Sequence, residues 1–235
     1  MIRKEAIAQL ADMIAAIYLD YPVRVGIDGF AASGKTMLAD ELIEPLQSRG
    51  RSVIRVSLDG FHNPGEIRRQ QGHSSPLGYY EDSFNHNAIV SKVLEPLGPG
   101  GNLNYSPAVF DFRTDSEVYA PFQRANQNSI LLFEGVFLHR PQLKKHWDFS
   151  VFVQADFDIS LKRAKKRDLN LFKTAEKVHE KFTERFIPGQ KIYLSAESPE
   201  KNANVIWDNN DIDNPRLTTN KTDQMAKTTP FRFDI

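Results

Sequence analysis

Gly29-Phe30-Ala31-Ala32-Ser33-Gly34-Lys35-Thr36 has the pattern GxxxxGK[ST], and these residue types at this spacing suit the holding of a polyphosphate. Glycines let the backbone curl until its N–H groups converge on phosphate oxygens. A helix starting where the loop ends adds the positive end of its dipole. Lys35 reaches the β- and γ-phosphates, and the Thr36 hydroxyl ligates Mg²⁺. The expected nucleotide contacts are Gly29, Ala31, Ala32, Ser33, Gly34, Lys35 and Thr36, with ATP and Mg²⁺ as cofactors. The loop alone does not choose among a kinase, a GTPase, an ATPase and a motor.

Two carboxylates narrow the choice. Ser57-Leu58-Asp59-Gly60-Phe61-His62 and Phe133-Glu134-Gly135 each follow an apolar run. Open α/β sheets bind ligands beyond the carboxyl ends of their strands, so Asp59 and Glu134 both face the γ-phosphate if their strands are neighbours. Phosphoryl transfer needs a group that orients or deprotonates the acceptor hydroxyl and carboxylates on the metal side. Asp59 is assigned the first task, with metal contact as its other option, and Glu134 the second. Arg163 and Arg167 lie four apart in the basic run Lys162-Arg163-Ala164-Lys165-Lys166-Arg167. On a helix they share a face, and that face could close over the phosphates and offset charge developing during transfer.

The elements that must position these residues alternate. Strand signals fall at 23–27, 52–58, 129–133, 149–153 and 203–207, and helical signals at 35–47, 85–94, 159–169 and 175–186. Near-continuous apolar strands separated by helices imply a mostly parallel sheet covered on both faces. Residues 62–85 are polar and rich in Gly, Pro and His, and read as a long loop with at most one helical turn. Segments 108–111 and 118–120 suggest a small β-hairpin. The expectation is an α/β, three-layer P-loop NTPase fold in a single domain over 1–235. It carries a hairpin insertion at about 104–122, a helical lid at about 158–175 and a loose polar tail from about 208.

The ordered set GFAASGKT, SLDGFH, FDFRTD, LLFEGVF, RAKKRD and ANVIWDNND resembles the uridine kinase and phosphoribulokinase-like group of P-loop kinases, over about residues 20–217. The resemblance puts Asp59 on that group's catalytic aspartate, Glu134 on its strand-end glutamate, and Arg163 and Arg167 on its lid arginines. It implies an alcohol-acceptor phosphotransferase. The match breaks at the nucleoside contacts. An FDHPDAFD-like stretch is replaced by Gly78-Tyr79-Tyr80-Glu81-Asp82-Ser83-Phe84-Asn85, and the His that follows YDF in uridine kinases is missing from Phe110-Asp111-Phe112-Arg113-Thr114-Asp115. A site loses discrimination when its hydrogen-bonding partners go. The expected acceptor therefore widens to nucleoside-, sugar- or pantothenate-like molecules, with His62, Tyr79, Arg113 and Asp115 as pocket candidates. The alternative is a nucleotide-dependent switch or regulatory ATPase with no small-molecule acceptor.

Composition excludes several other classes. Thirty basic and thirty acidic residues in 235 cancel, so no global charge bias draws the chain to nucleic acid or an anionic membrane. No cysteine is present, which removes disulfides and thiolate chemistry and fits a cytoplasmic enzyme. Ile7, Leu10, Ile14 and Ile17 recur at helical spacing, and Glu5, Gln9 and Asp12 interrupt any signal-like apolar run. Six histidines lack zinc-ligand spacing. Asn220-Lys221-Thr222-Asp223 spells the guanine-reading NKxD, but in a polar tail. Asn209-Asn210-Asp211 suits either the lining of an adenine pocket or a plain turn. A homo-oligomer is compatible with the sequence.

Overall fold

Seven consecutive buried residues, Val23–Gly29, make strand β1, and every other element of the nucleotide end is arranged around it. The computed structural model describes residues 1–220. β1 pairs in parallel with β7 (Ser129–Glu134) on one side and β8 (Phe149–Gln154) on the other. β2 (Ser52–Ser57) extends the sheet beyond β7, and β9 (Val205–Asp208) extends it beyond β8, both in parallel. A last strand, β10 (Arg216–Thr219), adds antiparallel to β9, giving the order β10-β9-β8-β1-β7-β2. The polar stretch after residue 208 thus continues the sheet rather than wrapping loosely. The NKxD sequence runs past Asn220 and lies outside the described residues.

Alternation along the strands feeds two cores. Val23, Val25, Ile27, Ile130, Leu132 and Val151 pack with Leu10, Ile14, Leu38 and Leu42 of the helices on one face. Leu131, Phe133 and Phe152 pack on the other face with Val56, Phe61, Phe137 and Tyr193. At Gly26 an added Cβ would sit 2.8 Å from the Trp147 ring, so only hydrogen fits there.

Local structure departs from the sequence reading in four places. The expected helix over 35–47 is two pieces, Lys35–Glu41 and Ile43–Gln47. The loop over 62–85 contains the helices Gly65–Arg68 and Pro76–Asp82. The latter starts at Ser75, whose hydroxyl accepts from the Gly78 N–H at 3.0 Å, with Pro76 in the first helical turn. The helix Ile187–Glu197 was not anticipated. The hairpin is two short ladders, β3 (Asn104–Tyr105) with β6 (Gln123–Arg124) and, nested within, β4 (Phe110–Asp111) with β5 (Ser116–Glu117). Among the described residues, no helix is long and apolar enough to cross a membrane.

Candidate functional site

The loop leaving β1 is held from beneath by side chains remote in sequence. Gly29 has φ +149°, and a Cβ there would lie 2.3 Å from the Val153 carbonyl oxygen. Gly34, at φ +106°, would meet Asn209 Nδ2 equally closely. The Ala31 N–H donates to Gln190 Oε1 at 2.9 Å. Asn209 Nδ2 donates to the Ser33 carbonyl at 2.6 Å, and Arg163 donates to the same carbonyl at 3.4 Å and to Asn209 O at 2.8 Å. Asn209, left between adenine contact and turn by the sequence, is a brace of this loop. Behind it, Asp28 accepts from the Gly29 N–H at 2.7 Å, from His139 Nδ1–H at 2.8 Å and from the Tyr193 hydroxyl. Asp28, His139 and Tyr193 are all buried, and a carboxylate accepting three hydrogen bonds is held in one orientation.

Lys35 opens the helix after the loop and is buried, at 7% exposure. Its Nζ donates to the Phe30 carbonyl at 2.6 Å, and among the described residues it forms no ion pair. Burial lowers its pKa, while Glu134 and Asp28 pull it back up. A buried ammonium with one neutral acceptor is a cation waiting for an anion, and the surrounding loop suits phosphate. Ser33 Oγ, buried and without a partner, adds an unused polar atom in the same loop. Thr36 is exposed and lines the adjoining cleft.

The two carboxylates meet here because β7 lies between β1 and β2. Glu134 ends β7, level with Ile27 on one neighbour and Ser57 on the other. Ser57 Oγ donates to Glu134 Oε1 at 2.7 Å and Arg55 approaches the same oxygen at 3.3 Å, leaving Oε2 for a cation. Asp59 follows β2 in a single 3₁₀ turn, its N–H bonded to Ser57 Oγ at 3.3 Å. A Cβ on Gly135 would lie 2.4 Å from Leu58 Cβ, so the chains carrying Glu134 and Asp59 touch. Asp59 opens to the cleft, where the surrounding walls raise its pKa. His62 pulls it back most, Lys35 and Arg167 less, and Glu134 adds to the rise. No cluster of three or more metal-ligating side chains occurs among the described residues. Thr36, Glu134 and Asp59 instead suit Mg²⁺, which keeps waters and takes substrate phosphates as ligands.

The cleft that these groups share with the phosphate loop encloses about 900 Å³ in all. His62 lines it, its ring between Phe84 and Phe112 with centroids 4.6 and 4.7 Å away. Its Nδ1–H donates to the Asp59 carbonyl at 3.0 Å. Tyr79 lines the cleft too, packed against Phe137 and Phe186, and burial raises its phenol pKa. Arg113 also lines the cleft, exposed and over the Phe112 ring. Asp115 does not line it. Its carboxylate accepts from the Gly65 N–H and from Arg68 at 2.8 and 2.6 Å, because its backbone turns over at φ +52° and directs it to that helix start.

Arg163 and Arg167 share the helix Phe157–Arg167 but not a role. Arg163 is spent on the carbonyls under the loop, whereas Arg167 lines the cleft, paired with Asp168 at 2.6 Å. Sequence reasoning missed the loop braces Gln190 and Asp28 and the basic wall of Arg68, Arg69, Lys181 and Arg185. The pair Arg68-Arg69 was the one signal in view, and a short surface helix accounts for it equally well.

Comparison with known proteins agrees with this fold. The model of the phosphoribulokinase/uridine kinase family matches residues 24–197. Uridine kinase-like protein 4 of Arabidopsis thaliana is 32% identical over 149 residues, 63% of this chain but 30% of that protein. The chain thus spans about a third of the length of such plant relatives. A uridine kinase of Bacillus velezensis is 27% identical over 160 residues, 63% of this chain and 68% of that one. A solved structure described as a possible uridine kinase from Bacillus stearothermophilus superposes with TM-score 0.68 at 24% identity, covering 86% of this chain and 97% of that one. With a P-loop kinase fold and a family match across most of its length, this chain belongs to the phosphoribulokinase/uridine kinase family.

Proposed function

We propose that the protein transfers the γ-phosphoryl group of Mg-ATP to a hydroxyl of a small acceptor lying between His62 and Tyr79. The observation that carries this reading is the buried Lys35, without a direct ion pair among the described residues, opening onto the same cleft as Asp59 and Glu134. The loop N–H groups and Lys35 bind the β- and γ-phosphates. Thr36 and Glu134 would hold Mg²⁺, which when bound would supply neutralising charge to the phosphates. The acceptor oxygen attacks the γ-phosphorus, the bond to the β–γ bridging oxygen breaks, ADP leaves, and the acceptor proton passes to Asp59. Arg167 offsets charge on the transferring group. A raised Asp59 pKa suits a base that must bind a proton in the transition state.

The uridine kinase named among the relatives makes a nucleoside the first acceptor to try. A cleft that runs on from the phosphate loop past Asp59 to His62, Tyr79 and Arg113 supports an acceptor-using enzyme over a switch. The test is ADP release from Mg-ATP across nucleosides, sugars, sugar acids and pantothenate. Strong stimulation by one class is expected, and only slow acceptor-independent hydrolysis would move the reading to a switch or regulatory ATPase.

A further inference from the structure

Five cationic side chains, Arg68, Arg69, Arg113, Lys181 and Arg185, line the cleft around His62 and Tyr79. The carboxylates that line it are Asp59, Glu134 and Asp168. The first two act on Lys35, and the third is bound to Arg167. From outside the cleft, Asp115 offsets one charge, through Arg68 at 2.6 Å and Arg69 at 3.9 Å, and Asp82 acts on Arg185. In a chain with thirty cations and thirty anions, this is a local excess.

The excess is built in rather than solvated away. Arg185 is buried, and its donors go to carbonyls alone: Gly72, His73 and Arg68, at 3.2, 2.8 and 2.9 Å. Lys181 Nζ likewise donates to the His73 carbonyl at 3.1 Å. Carbonyls satisfy hydrogen bonds without cancelling charge. Arg68 Nε is buried without any partner. Burial lowers the Arg185 pKa and Arg68 and Arg69 push the same way, while Tyr79 and Asp82 pull it back in part. Seating a neutral acceptor would strip water from these groups and return no counter-charge. A carboxylate or phosphate would return charge-assisted bonds, bidentate ones to arginine.

We infer that the acceptor carries an oxyanion, a carboxylate or phosphate monoester, in addition to the hydroxyl that is phosphorylated, and that this basic wall binds it. The inference rests on the kinase reading above and narrows its substrate class away from free nucleosides.

Matched acceptors test it: glucose against gluconate, glycerol against D-glycerate, and ribose against ribose 5-phosphate, with uridine as a neutral nucleoside. ADP release is the readout. The expected result is an anionic member with kcat/KM at least about tenfold above its neutral counterpart. The carboxylate and phosphate arms separate the two sources of the oxyanion. Arg113→Gln and Arg69→Gln, both at exposed positions, should lower that preference by about tenfold or more. The KM for Mg-ATP and the melting temperature should stay unchanged. A neutral member served as well as its anionic counterpart overturns the inference, as does a preference unmoved by both substitutions. Turnover of uridine or glucose with none of the anions sinks the oxyanion and leaves the kinase standing. ADP release indifferent to every acceptor sinks both.

Discussion

Gln190 Oε1 accepts the Ala31 N–H at 2.9 Å across 159 positions of sequence. Its Nε2 donates to the Phe186 carbonyl, also at 2.9 Å. One buried amide therefore fixes the phosphate loop to the helix that forms the back of the acceptor wall. Gln190→Leu leaves the half-buried Ala31 N–H without its acceptor, at a cost of about 1 kcal/mol. Thermal denaturation should show a drop of about 2–4 °C per kcal/mol, and the KM for ATP should rise. An unchanged melting temperature would show that the contact does not hold the loop.

Asp59→Asn should lower the transfer rate by roughly a hundredfold or more while ATP binding persists. The pH profile gives a second readout. Burial raises the Asp59 pKa, so the group keeps its proton to a higher pH than an ordinary aspartate. The base form is then lost on the acid side, and kcat/KM should fall as pH drops through that raised value. The Asn variant should lack this acid limb. A limb of the same shape in both proteins would assign it to another group.

The two lid arginines should separate in their effects. Arg167→Gln should cut the transfer rate by roughly a hundredfold with little change in melting temperature, because the amide keeps a donor for the buried Asp168 carboxylate. Arg163→Ala removes donors from the Ser33 and Asn209 carbonyls and should cost about 1 kcal/mol of stability, with weaker ATP binding. Equal losses of rate with no thermal difference would contradict this division.

Gly135→Ala forces a Cβ to within 2.4 Å of Leu58 Cβ. The backbone bearing Asp59 must move, and a misplacement of about 1 Å costs roughly a hundredfold in rate. Acceptor turnover should collapse while nucleotide affinity, measured by calorimetry, is largely kept. Normal turnover would mean that the Asp59 turn tolerates displacement.

The parts of the fold legible in sequence were those whose signal is local. β1, β7 and β8 are short runs dominated by apolar, largely β-branched and aromatic residues, and the loop motif lies in one stretch. The helix Ile187–Glu197 was hidden by Pro188 and Gly189, poor helix formers. Gly189 is there because a Cβ would lie 2.8 Å from both the Pro76 carbonyl and Tyr79 Cδ1, so packing overrode propensity. Asp115, taken from the FDFRTD stretch, and Arg163, from its spacing and the family resemblance, are held by their hydrogen bonds at a helix start and beneath the loop, partners that no local signal announces. Gln190, Asp28 and Arg185 act through partners more than a hundred positions away, and no periodicity encodes such pairings.

The central position of β1 also governs how the chain must be made. Val23 finds its partner Ile130 only after roughly a hundred further residues. At a synthesis rate of about 5–20 residues per second, the strand waits about 5–20 s before its neighbour leaves the ribosome. For that interval Val23, Val25 and Ile27 have only the nearby helices to cover them. A newborn chain is therefore most exposed to sticking at its first strand, and pauses in translation before residue 134 should lower its yield.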